Sequence, residues 1–119
     1  MKVQELRIGN KIKRHWRYDE IVEIRNSGII GLDGFREPIP YSKIEPICIT
    51  NELLLKNGFE QCGYFFTTIF IEMYEVENGW HLHIDNEKFE TALSITIKYV
   101  HQLQNAYYIA TGKELEIKL

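Results

Sequence analysis

The dipeptide Asn78-Gly79 separates two stretches rich in aromatic and β-branched residues, 64–76 and 80–85. Asn and Gly both adopt positive φ at little cost, so the pair signals a two-residue turn between antiparallel strands. A hairpin here commits the chain to an antiparallel sheet, one face buried and the other wet. With Asn78 and Gly79 as the turn, Glu77 pairs with Trp80, Val76 with His81, Tyr74 with His83 and Glu72 with Asp85. Alternation then points Trp80, Leu82 and Ile84 at the core. His81, His83, Asp85, Glu72 and Tyr74 share the opposite face.

The flanking segments extend this scheme. Thr50 is a suitable N-cap for a short helix over 51–57, with Leu53, Leu54 and Leu55 as its apolar side. Gly58 fits the left-handed position after it, and Phe59 folds back onto Leu54. Cys62-Gly63 reads as a turn and 64–76 as one long strand. From Ile97 onward, Val100, Leu103, Tyr107 and Ala110 recur at helical spacing, with Ser94 or Thr96 as cap and Gly112 as stop. Leu115, Ile117 and Leu119 alternate, which predicts a closing strand over 114–119.

The first 49 residues have a different texture. Gly9-Asn10 precedes a strand-like 11–16, 21–24 is β-branched, and Asn26-Ser27-Gly28 breaks it. Asp33-Gly34 is a second hairpin signal, with 29–32 and 35–39 as its arms. Pro38, Pro40 and Pro46 then disfavour regular ladders. The expected fold is α+β: a small SH3-like β-barrel or meander over 1–49, packed on an antiparallel sheet with a short helix and a longer C-terminal helix over 50–119. The two parts form one compact unit.

Bulk properties exclude whole classes. A chain of 119 residues, 45% hydrophobic and with net charge −3, can bury a core without metal or disulfide. No apolar run reaches the roughly 18 residues of a membrane span, so no membrane partner is expected. The polar start does not read as a signal peptide, and Cys48 and Cys62 are too few for a disulfide scaffold. A cytoplasmic protein follows, its two thiols inert in apolar settings. The net charge conceals an asymmetry: 1–50 carry nine Lys/Arg against seven Asp/Glu, and 51–119 carry five against ten.

That asymmetry concentrates in Lys11-Ile-Lys-Arg-His-Trp-Arg-Tyr18. On a single strand, Lys11, Lys13, His15 and Arg17 share one face, and Ile12, Arg14, Trp16 and Tyr18 the other. Guanidinium groups match phosphate oxygens, and an adjacent Trp or Tyr can stack a base. Lys13, Arg14, Trp16 and Arg17, with Arg36, are therefore the candidate ligand-binding residues. The ligand class is a small anion of nucleotide type; single-stranded nucleic acid is the alternative. The same residues also suit a solvated strand whose lysines deter edge pairing.

Other chemistry is weaker. His81, His83 and Asp85, near Glu72, form a metal-like pattern that would serve a metal-dependent enzyme, yet the same residues suit a wet sheet face. No glycine-rich phosphate loop or nucleophile elbow is present in the sequence, and no cofactor is expected. The helix segment with Tyr99, Tyr107, Tyr108, His101, Gln102, Gln104 and Asn105 resembles a homo-oligomer contact.

Several segments resemble an uncharacterised family of small proteins from Bacteroides-group bacteria and their phages and prophages. The resemblance rests on Glu5-Leu-Arg-Ile-Gly-Asn10, on Leu53-Leu-Leu-Lys-Asn-Gly-Phe59, and on Ile97-Lys-Tyr-Val-His-Gln-Leu-Gln-Asn105 with Thr111-Gly-Lys-Glu-Leu115. It implies a phage or mobile-element accessory protein that acts by binding, including binding of a host defence component, and it assigns no catalytic residue.

Overall fold

In a computed structural model the chain is described over residues 3–14, 17–32, 37–86 and 91–119. After a 3-10 turn at Val3–Glu5, three strands follow: β1 (Lys11–Arg14), β2 (Arg17–Arg25) and β3 (Gly28–Gly31). A second 3-10 turn, Tyr41–Lys43, leads to helix α1 (Asn51–Lys56). Five strands come next: β4 (Glu60–Cys62), β5 (Phe65–Thr68), β6 (Ile71–Val76), β7 (Gly79–Asn86) and β8 (Thr91–Ile97). Helix α2 (Val100–Thr111) and an extended tail complete the chain.

The strands form two antiparallel sheets, β1-β2-β3 and β4-β5-β6-β7-β8, each in sequence order. The α+β expectation therefore holds. The N-terminal sheet is an open meander, and among the described residues it does not close into a barrel. The Asp33-Gly34 turn and the first two residues of its return arm lie outside the described residues; at the end of that arm, Ile39 meets Ile29 in an isolated bridge.

Two separate apolar clusters follow from this layout. Leu6, Ile12, Ile21, Ile29, Ile39 and Ile44 fill the N-terminal one. The larger one takes Trp80, Leu82 and Ile84 from β7, Ile71 and Met73 from β6, Leu54 and Phe59 around α1, and Val100, Leu103, Ala106 and Ala110 from α2. Ile47 and Ile49 also belong to this second cluster.

Local signals near α1 are obeyed. The Thr50 side chain accepts a hydrogen bond from Leu53 N–H, Gly58 takes φ +84°, and Phe59 N–H bonds back to Leu54 C=O at 3.0 Å. Gly112 ends α2 at φ +73°.

Four expectations are corrected. The central turn is Glu77-Asn78: Val76 pairs with Gly79, Glu75 with Trp80, Tyr74 with His81 and Glu72 with His83. Gly79 is needed as a strand residue, because a Cβ there would lie 2.3 Å from the Ile97 carbonyl oxygen of β8. Each partner shifts by two residues, an even number, so the assignment of faces survives. Second, 64–76 is two strands, folded at Ile69-Phe70, where Phe70 holds φ +67° without glycine or asparagine to signal it. Third, α2 starts at Val100. Leu93, Ile95 and Ile97 continue the β-alternation, so Ser94 and Thr96 lie in β8; Gln102 Oε1 caps the helix instead, accepting from Lys98 and Tyr99 N–H. Fourth, 114–119 joins no ladder among the described residues. Ile117 is buried as the alternation requires, and the Asn57 amide satisfies the backbone, with Lys118 N–H donating to Oδ1 and Nδ2 donating to Lys118 C=O.

Candidate functional site

Residues 11–14 and 17–20 pair as the two arms of a hairpin. Lys11 pairs with Glu20, Ile12 with Asp19, Lys13 with Tyr18 and Arg14 with Arg17. Paired residues point to the same side of a sheet. The reversal therefore overturns the single-strand assignment: Arg17 joins Arg14, Ile12 and Asp19 on one face, and Tyr18 joins Lys11, Lys13 and Glu20 on the other. Strand alternation over 11–18 mis-sorted these residues because the chain turns back between 14 and 17. Among the candidate ligand residues, Trp16 and Arg36 lie outside the described residues.

The hairpin is anchored on both sides. Lys13 N–H and C=O bond Glu45 at 2.9 and 2.7 Å, which holds the far edge of β1. Ile12 and Ile21 seat its inner face in the N-terminal cluster. Asp19 is buried against β3. Its Oδ1 accepts from Glu20 N–H at 2.8 Å and Leu32 N–H at 2.9 Å, while its buried Oδ2 makes no hydrogen bond. The place of this carboxylate is reserved by Gly31, where a Cβ would come within 2.1 Å of Oδ2.

Arg14 and Arg17 are the cations that the pairing brings together. Guanidinium groups match phosphate or carboxylate with paired donors, and both arginines also take part in interactions within the fold. On the reverse face Lys11 is committed to Glu20, Nζ to Oε1 at 2.7 Å. Tyr18 is exposed there, beside an open cleft of about 570 Å³ that Lys11, Glu20, Leu32 and the 116–119 tail also line.

The wet face of the larger sheet carries the metal-like residues. Tyr74 sits opposite His81 with ring centroids 5.0 Å apart, and Ser94 Oγ lies 3.0 Å from His81 Nε2. Phe65 and Tyr64 continue the ring contacts. Glu72 faces His83 rather than Asp85, which removes the carboxylate pair that the expected register implied. Among the described residues no three His, Cys, Asp or Glu side chains gather as a metal site. Cys48 and Cys62 are exposed, contrary to the apolar surroundings their neighbours suggested: Cys48 alternates with buried Ile47 and Ile49, and Cys62 ends a three-residue edge strand.

The polar face of α2 faces inward. Gln104, buried, accepts from Lys11 N–H at 2.9 Å and donates to Gly9 C=O at 3.1 Å. Asn105 accepts from Arg7 Nε and Asn10 Nδ2 and donates to Glu5 C=O. His101 Nε2 lies 3.1 Å from Glu5 Oε2. A carboxylate can only accept, so Nε2 carries the proton and the buried Nδ1 is left without a partner. Protonating Nδ1 would bury an unpaired donor, and burial accordingly holds the His101 pKa below its ordinary value despite the opposing pull of Glu5. Arg7 stacks over the Tyr108 ring at 4.5 Å and is ion-paired with Glu114. Of the residues that resembled an oligomer contact, His101, Gln102, Gln104, Asn105 and Tyr108 thus clamp the chain's own N-terminal segment to α2, while Tyr107 packs against the larger core. A polar helix face is equally suited to either use, and nothing in its spacing distinguishes them.

No helix among the described residues is long and apolar enough to cross a membrane. Comparison of the chain with protein-family models, with curated proteins and with solved structures found no match, so its chemistry rests on the geometry above.

Proposed function

We propose that the protein is a non-enzymatic binding protein that captures a small anionic ligand of nucleotide type at the β1–β2 hairpin. The observation that carries the reading is the opposition of Arg14 and Arg17 on one face of a hairpin anchored to the body of the fold. Guanidinium groups engage phosphate in paired hydrogen bonds, a seated hairpin limits the ordering cost of doing so, and the ligand competes with the interactions Arg14 and Arg17 make within the fold. Lys13 adds charge from the reverse face, and Trp16 and Arg36 complete the proposed set. Together with the resemblance to phage and prophage proteins, this describes an accessory protein of the bacterial cytoplasm that acts on a nucleotide signal or a host defence component.

The test is calorimetry with a nucleoside triphosphate and with inorganic pyrophosphate. Arg14→Ala with Arg17→Ala should reduce affinity at least tenfold, equivalent to about 1.4 kcal/mol. Equal affinity in the double variant refutes the site. Single-stranded nucleic acid is the second reading, favoured by exposed Tyr18 opposite Lys13. It requires affinity for oligonucleotides that grows with strand length and falls steeply with salt, whereas a mononucleotide site saturates at one ligand.

A further inference from the structure

The two edges of the five-stranded sheet differ. One edge, β4, has three residues, Glu60, Gln61 and Cys62, all exposed. Shortness and charge are how natural sheets blunt an edge against further pairing. The other edge, β8, runs for seven residues, Thr-Ala-Leu-Ser-Ile-Thr-Ile, with no charge and no proline. Its pairing with β7 is in continuous register from Thr91 to Ile97, so no bulge twists it away. Among the described residues, nothing forms backbone hydrogen bonds with its outer side.

Apolar surface continues from this edge. A groove of about 690 Å³ runs between β8, α2 and residues 4–7, and Leu93, Ile95, Ala106 and Ile109 line it. Ile109 is 75% exposed and Ile95 36%, and Tyr108 stands exposed beside them. Ile95 lies in the inward-facing row with Leu93 and Ile97, so α2 leaves part of the core face of β8 uncovered.

We infer that β8 is a self-association edge, paired antiparallel with the β8 of a second copy about a two-fold axis at Ser94. Pairing about Ser94 sets Leu93 of each copy against Ile95 of the other, apolar against apolar on the same face. It brings no charged strand residue near its like, which an edge carrying even one lysine at the axis could not avoid. Seven paired residues alone bury less than the roughly 1,200 Å² of a stable interface. The apolar rim of Ile95, Tyr108 and Ile109 supplies the additional area. The result is one continuous ten-stranded sheet, with the blunted β4 strands as its outer edges.

Sedimentation and native mass spectrometry of the full chain at tens of micromolar should give twice the 14.1 kDa chain mass. Ser94→Lys and Ser94→Glu, each placing like charges at the axis, should separately give monomers, and their equimolar mixture should regain the dimer. A monomeric wild-type protein overturns the inference, as does a dimer indifferent to both substitutions or single variants that the mixture fails to rescue. Hydrogen exchange of the unaltered protein gives an answer independent of folding in the variants. Outward amides of Thr91–Ile97 should gain protection with concentration, and free exchange at every concentration overturns the pairing.

Discussion

Replacing Gln104 with Met measures how strongly the N-terminal segment is held to α2. Gln104 is 2% exposed, and its amide satisfies two backbone groups of that segment: it accepts from Lys11 N–H and donates to Gly9 C=O. Methionine keeps a similar length and volume, so it excludes water while removing both partners. Each of the two stranded backbone groups costs about 1–3 kcal/mol, which sets the expected loss at about 2–6 kcal/mol. Net stability of a domain this size is about 5–15 kcal/mol, so the effect is a large fraction of the whole. Gln104→Ala removes the same bonds but opens space for water to replace them, and it should cost less than Met. Urea unfolding followed by circular dichroism gives both values, and hydrogen exchange should show residues 5–11 opening before the five-stranded sheet. If Gln104→Met lies within about 0.5 kcal/mol of wild type, the amide does not hold the segment and the reasoning is wrong.

Three further outcomes are expected. His101 is neutral and buried, its folded pKa held below the ordinary value near 6.5, so the unfolded chain binds its proton more readily. The stability it contributes is complete above the unfolded pKa and declines as pH falls from there toward the folded pKa. His101→Gln should remove this component of the slope below the ordinary histidine pKa of about 6.5, and an unchanged slope refutes the assignment. Gly31→Ala drives a Cβ into the Asp19 carboxylate and should cost about 2 kcal/mol or more. The cost should shrink in an Asp19→Ala background, and strict additivity in the double-mutant cycle would show that the two do not touch. Phe70→Gly relieves a positive φ and should raise stability by about 1 kcal/mol; a fall in thermal midpoint would mean that contacts of the ring outweigh the strain.

The readable parts of this chain share a property: their signal is local and chemically singular. Thr50, Gly58 and Gly112 mark helix ends because hydroxyl caps and left-handed glycines have few other uses there. The errors arose where one pattern served two structures. Ile97, Val100 and Leu103 have helical spacing, yet Ile97 closes a strand, because its alternation with Ile95 and Leu93 buries it equally well. The cations of 11–18 were visible by composition, but not that they straddle a turn. For the sheet, an error of two residues in register left every face correct and nonetheless exchanged Asp85 for His83 opposite Glu72.

The sequence by itself determined the α+β class, a hairpin at Asn78, the helix-end roles of Thr50, Gly58 and Gly112 and the residues bound for the larger core, all consequences of periodicity and turn chemistry within a few neighbours. Only the tertiary structure decided that the polar face of α2 is spent on the chain's own residues 5–11, with hydrogen bonds spanning almost a hundred positions. Tertiary structure also decided that Arg14 and Arg17 oppose each other and that β8 is an edge. Such facts depend on which segments become neighbours in space, and a side chain's hydrogen-bonding capacity does not specify its partner.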